Sequence, residues 1–146
     1  MSFPYDTERS MEVTKVSIVL KDTVDWRNWY QYQKQLAGAR GIWKYTDPDG
    51  TDEFYMANKE PSEPSLENDL EEKEREVYKE AMALWEKRLA NFKTLKKVYE
   101  GFSLQILGTI ATEHLFMIIS EISPRRRIQI LRCHGHRQVD YNVMDQ

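Results

Sequence analysis

Val24-Asp25-Trp26-Arg27-Asn28-Trp29-Tyr30 opens the stretch that decides the fold, and Leu36-Ala37-Gly38-Ala39-Arg40-Gly41-Ile42-Trp43-Lys44-Tyr45 continues it. On a helix starting near Val24, Trp26, Trp29 and Tyr30 fall at i, i+3 and i+4 and share one face. Asp22 or Thr23 is placed to cap that helix by accepting a backbone N–H, and Asp25 in the first turn suits the positive end of the helix dipole. The helix is expected to reach about Arg40, loosening at Gly38 and Gly41, with Trp43 returning the chain onto the core. Asp47-Pro48-Asp49-Gly50 then reads as a tight turn. Large aromatics at helical spacing are most simply the core of a small helical domain.

Before this block, residues 1–12 are polar and expected to be loose. They lack an apolar run and carry Asp6, Glu8 and Glu12, so no secretory signal is expected. Val13 to Leu20 alternates imperfectly, with Val16, Ile18 and Leu20 on one side, as a short strand or an extended lead-in would. After it, residues 47–66 hold Pro48, Pro61 and Pro64 with Gly50, acids and serines, the composition of a solvated linker. A long helix is expected from about Leu66 to Glu100, ending at Gly101. Its first turns are acidic (Glu67, Asp69, Glu71, Glu72) and its last are basic (Lys93, Lys96, Lys97), which matches the helix dipole. Tyr78, Trp85, Phe92 and Tyr99 recur every seven residues, with Ala81, Leu95 and Phe102 between them and Arg88 interrupting. The plain reading packs this stripe on the tryptophan helix; the sharper one gives part of it to a second subunit.

Phe102 to Ile110 continues in a helical pattern. Leu115 to Ile119 is a short apolar run whose helical neighbours favour helix over strand. Ser123-Pro124 marks a helix start, with Ser as cap and Pro in the first position, and Arg125 to Arg132 follows with Ile128 and Leu131 inward. The expected class is all-α: a small helical bundle with one long central helix. Residues 13–132 form the helical domain, with 47–66 as an acidic, proline-rich linker and 133–146 as a polar tail.

The 146 residues fit one domain, and 40% hydrophobic with 31% charged is a soluble, globular balance. A formal net charge of -3 does not advertise a nucleic-acid binder. One cysteine, Cys133, excludes an internal disulfide framework and suits a reducing compartment. No window approaches a membrane span. The expected location is cytoplasmic or nucleocytoplasmic.

Chemistry is hard to find. Cys133-His134-Gly135-His136, with His114 elsewhere, is the best metal candidate, but a closed zinc site needs four ligands and a tail with chance histidines is the simpler reading. Cys133 beside His134 and His136 is not a hydrogen-bonded dyad by sequence adjacency. Glu113-His114 lacks the second histidine of a metalloprotease helix, and no phosphate-binding glycine loop or nucleophile elbow is present. No enzyme, cofactor or metal is therefore expected. Arg125, Arg126 and Arg127, joined by Lys96 and Lys97 at the end of the long helix, are candidates for RNA contact. The plain reading is that these charges solubilise helix ends.

The ordered set W-x-x-W, L, W-K-Y-x-D-P-D-G resembles the start of Gag from copia-type LTR retrotransposons, especially those of fungi. In that family a G-[IV]-W-x-Y-x-[DN]-P exit leads to an acidic Pro/Glu spacer, similar to Glu60-Pro61-Ser62-Glu63-Pro64-Ser65-Leu66-Glu67 here. A charged helix with Tyr and Trp follows (Val77-Tyr78, Leu84-Trp85), then an I-x-x-T-[IV] element (Ile106, Thr109, Ile110), then P-R-x-x-[IL]-x-x-L (Pro124, Arg125, Ile128, Leu131). The resemblance covers roughly residues 16–132. It departs where the family's Gag continues with more helices, and in having no zinc knuckle. It implies a capsid-like N-terminal domain that self-associates, with Trp26, Trp29, Trp43, Tyr78, Trp85, Phe92 and Tyr99 as core and assembly residues, and itself or related Gag proteins as partners. The alternative is a truncated Gag-derived module that binds another protein or weakly contacts RNA.

Overall fold

The computed structural model describes residues 18–65 and 71–144, with side chains through His134. Among these the chain is helical. A 3-10 turn (Thr23–Asp25) leads into α1 (Trp26–Ala39); α2 (Trp43–Thr46) and α3 (Phe54–Ala57) are single turns; α4 (Glu72–Gly108), α5 (Thr112–Ile118) and α6 (Pro124–Met144) follow. The residues separate into two compact units. One takes the described chain up to Thr51 and again from Gly101; the other is Asp52–Glu100. The first unit is built around α1, and the second around the N-terminal part of α4.

In the first unit, Leu20 of the lead-in makes one parallel bridge to Ile110, its N–H donating to the Thr109 carbonyl (2.8 Å) and its carbonyl accepting from Ala111 (2.8 Å). Val13, Val16 and residues 1–12, expected to be loose, lie outside the described residues. Asp22 is the N-cap of the opening turn, as expected, and Asp25 closes a capping box with it: the Asp25 carboxylate accepts the N–H groups of Asp22 and Lys21, both at 3.1 Å. The end of α1 follows a Schellman pattern. Gly41 takes φ 75°, its N–H donates to Gly38, and the Ile42 N–H donates to Ala37. Gly38 does not loosen the helix, which runs through it.

The residue that returns to the core after this stop is Ile42, fully buried, whereas Trp43 is only half-buried. The unit's interior is Trp29, Ala37, Ile42, Phe102, Ile106, Ile118 and Ile128, all at 0% exposure. Trp26 is half-buried and tilts against Trp29 and Tyr30, with ring centres 5.6 and 5.4 Å apart; Trp43 meets Tyr30 edge-on at 5.9 Å. Burial, and secondarily Asp47 and Asp49, push the Tyr30 phenol above its ordinary value.

α4 differs most from expectation. It passes Gly101 without a break and ends at Gly108. The lysines at 93, 96 and 97 are therefore inside the helix, and its last turn carries no basic residue. The expected start at Leu66 lies outside the described residues. In the second unit the seven-residue stripe has partners of its own. Tyr99, 8% exposed, packs on Phe54 (4.3 Å between ring centres) and Tyr55 (5.8 Å), while the half-buried Trp85 donates its indole N–H to the Pro61 carbonyl (3.2 Å). Tyr78 and Phe92 are half-buried too. The linker is thus not merely solvated: within it α3 presents Phe54, 1% exposed, to this unit's interior. α6 also exceeds expectation, running past Arg132 through the expected tail to Met144.

Candidate interaction surface

Three polar clamps hold the first unit together. The first joins α1 to the end of α4. Thr109 Oγ1 accepts from Trp29 Nε1 (3.0 Å) and Gln33 Nε2 (3.3 Å) and donates to the Ile106 carbonyl (3.0 Å), using its full hydrogen-bonding capacity. Gln33, at 0% exposure, keeps its Oε1 without a protein partner.

The second clamp is Arg127, only 6% exposed. Its Nη1 donates to Ser103, both to the carbonyl (2.6 Å) and to Oγ (2.8 Å). Its Nε donates to the carbonyls of Glu121 and Ile118. The Ser103 hydroxyl passes its own proton to the Ile122 carbonyl at 2.7 Å. Burial pulls the guanidinium below its ordinary value, and the Glu121 charge opposes that.

The third clamp grips the Asp-Pro-Asp-Gly turn, which forms as expected: Gly50 N–H donates to the Asp47 carbonyl (3.0 Å) and Asp49 N–H to Asp47 Oδ1 (2.9 Å). One face of α6 reaches over it. Arg125 donates from Nε to the Asp47 carbonyl (2.8 Å) and from Nη2 to the Lys44 carbonyl (3.0 Å). Gln129 donates to the Pro48 carbonyl (2.9 Å), and Arg132 pairs with Asp49 at 2.9 Å. Positions 125, 129 and 132 are one stripe of a helix, so the turn and α6 recognise each other as surfaces.

These clamps redistribute the basic candidates. Arg125 and Arg127 spend donors on the fold's own carbonyls. Arg126 is exposed, and its guanidinium donates to Gln129 Oε1 at 3.4 Å. Lys96 and Lys97 belong to the other unit; Lys96 sits 4.0 Å from Glu100 and Lys97 is exposed.

What sequence reasoning missed is the exposed apolar surface. The run Leu115 to Ile119 forms α5 with only Ile118 buried, while Phe116 is 80% exposed and Ile119 is half-exposed. Ile122, just beyond, is 85% exposed, and Leu104 on α4 is 67% exposed. All four residues belong to the first unit. A signal existed: a wholly apolar run of five on a helix too short to bury all its faces must leave some outward. In the second unit, Val77 and Leu84 are similarly exposed, one heptad apart on α4.

Among the described residues no group of three or more His, Cys, Asp or Glu is placed to hold a metal, and no helix is long and apolar enough to cross a membrane. Compared with family models, curated proteins and solved structures, the chain matches none.

Proposed function

We propose that this is a non-enzymatic structural protein that works by associating with further copies of itself, in the manner of a capsid-like Gag domain. The observation that carries the reading is the exposure of four large apolar residues of the first unit, Leu104, Phe116, Ile119 and Ile122. Single exposed apolar residues are ordinary, whereas several on one small unit are what a protein contact would cover. The ordered motifs behind the Gag resemblance supply the second support. Trp29, Thr109, the Asp47–Gly50 turn and Arg125 are the residues of two of the three clamps, so the motif order coincides with a cooperating set of contacts. Weak contacts of this kind suffice for assembly, because repetition multiplies them.

The test is light scattering coupled to size exclusion, run over a wide concentration range. The expected mass rises with concentration for the wild type and stays at one chain for a Phe116→Glu, Ile122→Glu variant with an unchanged circular dichroism spectrum. A constant single-chain mass for the wild type at high concentration overturns the reading.

A further inference from the structure

We propose that His114 and His134 form a transition-metal site, of Zn2+ type, on the first unit. Sequence places them twenty positions apart, one near the start of α5 and the other inside α6. The fold brings their rings to 5.3 Å between centres, inclined at 59°. Two imidazoles sharing one tetrahedral zinc at the usual Zn–N distance have ring centres about 5 Å apart, so the spacing fits a shared ion.

The ring of His114 is also anchored as metal-bound histidines are. Its Nε2 lies 2.8 Å from the Lys21 carbonyl and donates to it, which fixes the tautomer and leaves Nδ1 as the coordinating atom. His134 has two ring nitrogens, so a hydrogen bond at one leaves the other to coordinate.

A small pocket of about 10 Å3 is lined by both histidines together with Leu20, Asp22, Thr23 and Trp26. That volume holds an ion or a single water and no organic substrate. Leu131 completes the lining. Solvent completes the coordination, so the site is open and its affinity modest. A bound ion would tie α5 and α6 to one another.

The experiment is calorimetric titration of the full chain, stripped of metal, with zinc chloride at pH 7.5, paired with thermal unfolding. One equivalent is expected to bind and to raise the melting temperature. His114→Gln and His134→Gln are each expected to weaken binding at least about tenfold, because each removes one of two protein ligands. Cys133→Ser is expected to leave affinity unchanged. Absence of zinc binding by the wild type overturns the proposal. So does full binding by a folded His114→Gln variant, which would assign the metal to Cys133, His134 and His136 of α6 alone. The hydrogen bond to Lys21 is lost in that variant, so its fold is checked by circular dichroism. His134→Gln, which leaves that bond in place, must reproduce the loss.

Discussion

Replacing Thr109 with Val tests the first polar clamp without changing shape. Val matches Thr in volume and branching, so packing is preserved while the hydroxyl goes. The Ile106 carbonyl still receives the Thr109 backbone N–H at 3.1 Å and is not stranded. Trp29 Nε1 and Gln33 Nε2 lose the Thr109 hydroxyl as acceptor, and both residues are at 0% exposure. A buried donor left without an acceptor costs about 1–3 kcal/mol, so the pair gives about 2–6 kcal/mol. Thr109→Ser keeps the hydroxyl and deletes one methyl, a change of about 0.5–1.5 kcal/mol. The assay is urea denaturation followed by tryptophan fluorescence, with equal slopes for all variants so that midpoints compare directly. The order is decisive: Val must be the worse substitution. A Val variant as stable as the wild type, or more stable than Ser, refutes the claim that this hydroxyl organises α1 against the end of α4.

Four further outcomes follow from the same geometry. Arg127→Met is expected to cost at least about 2 kcal/mol, because the carbonyls of Ser103 and Glu121 lose a buried donor, while Arg126→Met stays within about 0.5 kcal/mol; equal effects in denaturant melts would contradict the assignment. Trp29→Ala should cost about 3–5 kcal/mol and Trp85→Ala, half-buried against Pro61, clearly less; a larger loss at Trp85 in the same melts would reverse the ranking of the two tryptophans. Gly41→Ala meets no atom within 4 Å of the new methyl but retains φ +75°, so a backbone cost of about 1–2 kcal/mol is expected, and a neutral result would deny the Schellman stop. Burial, then the hydrogen bond from Tyr55 to Glu100 (2.9 Å) and its charge, push the Tyr55 phenol up to about 12. A raised phenol stabilises the fold fully below its ordinary value near 10 and ceases to do so as pH passes through 12. Difference absorbance between wild type and Tyr55→Phe should therefore show the missing tyrosine ionising near 12, and an ordinary value would remove that hydrogen bond from the account.

The fold was legible where local rules and tertiary packing agree. The tryptophan helix, the Asp-Pro-Asp-Gly turn, the Ser123-Pro124 start and the helical class all follow from short-range chemistry, and the structure carries each of them. The long helix was misread at Gly101 because an isolated glycine costs a helix only about 1 kcal/mol, which packing of Phe102 and Ile106 readily offsets. The destination of the Tyr78–Tyr99 stripe was invisible for another reason. Phe54 and Pro61, its partners, sit in a stretch whose composition says loop, and nothing local marks one phenylalanine there as buried.

The arginine run shows the same boundary at the level of function. Three consecutive arginines look like a single basic patch, yet successive helical residues step by about 100°, so Arg125, Arg126 and Arg127 point three ways. One reaches the Asp47 turn, one faces water and one enters the interior. The direction that faces inward is set by its neighbours, Ile128 and Leu131, which anchor α6 and carry Arg127 with them. There its guanidinium meets the carbonyls of Ile118, which also accepts the Glu121 N–H, and of Glu121 in the loop after α5, and a planar group with several fixed donors suits such a cluster better than lysine would. In the fold, the Arg127 charge serves buried backbone carbonyls. What α5 has to offer a partner is instead its uncovered apolar face, Phe116 and Ile119, which no charge pattern announces.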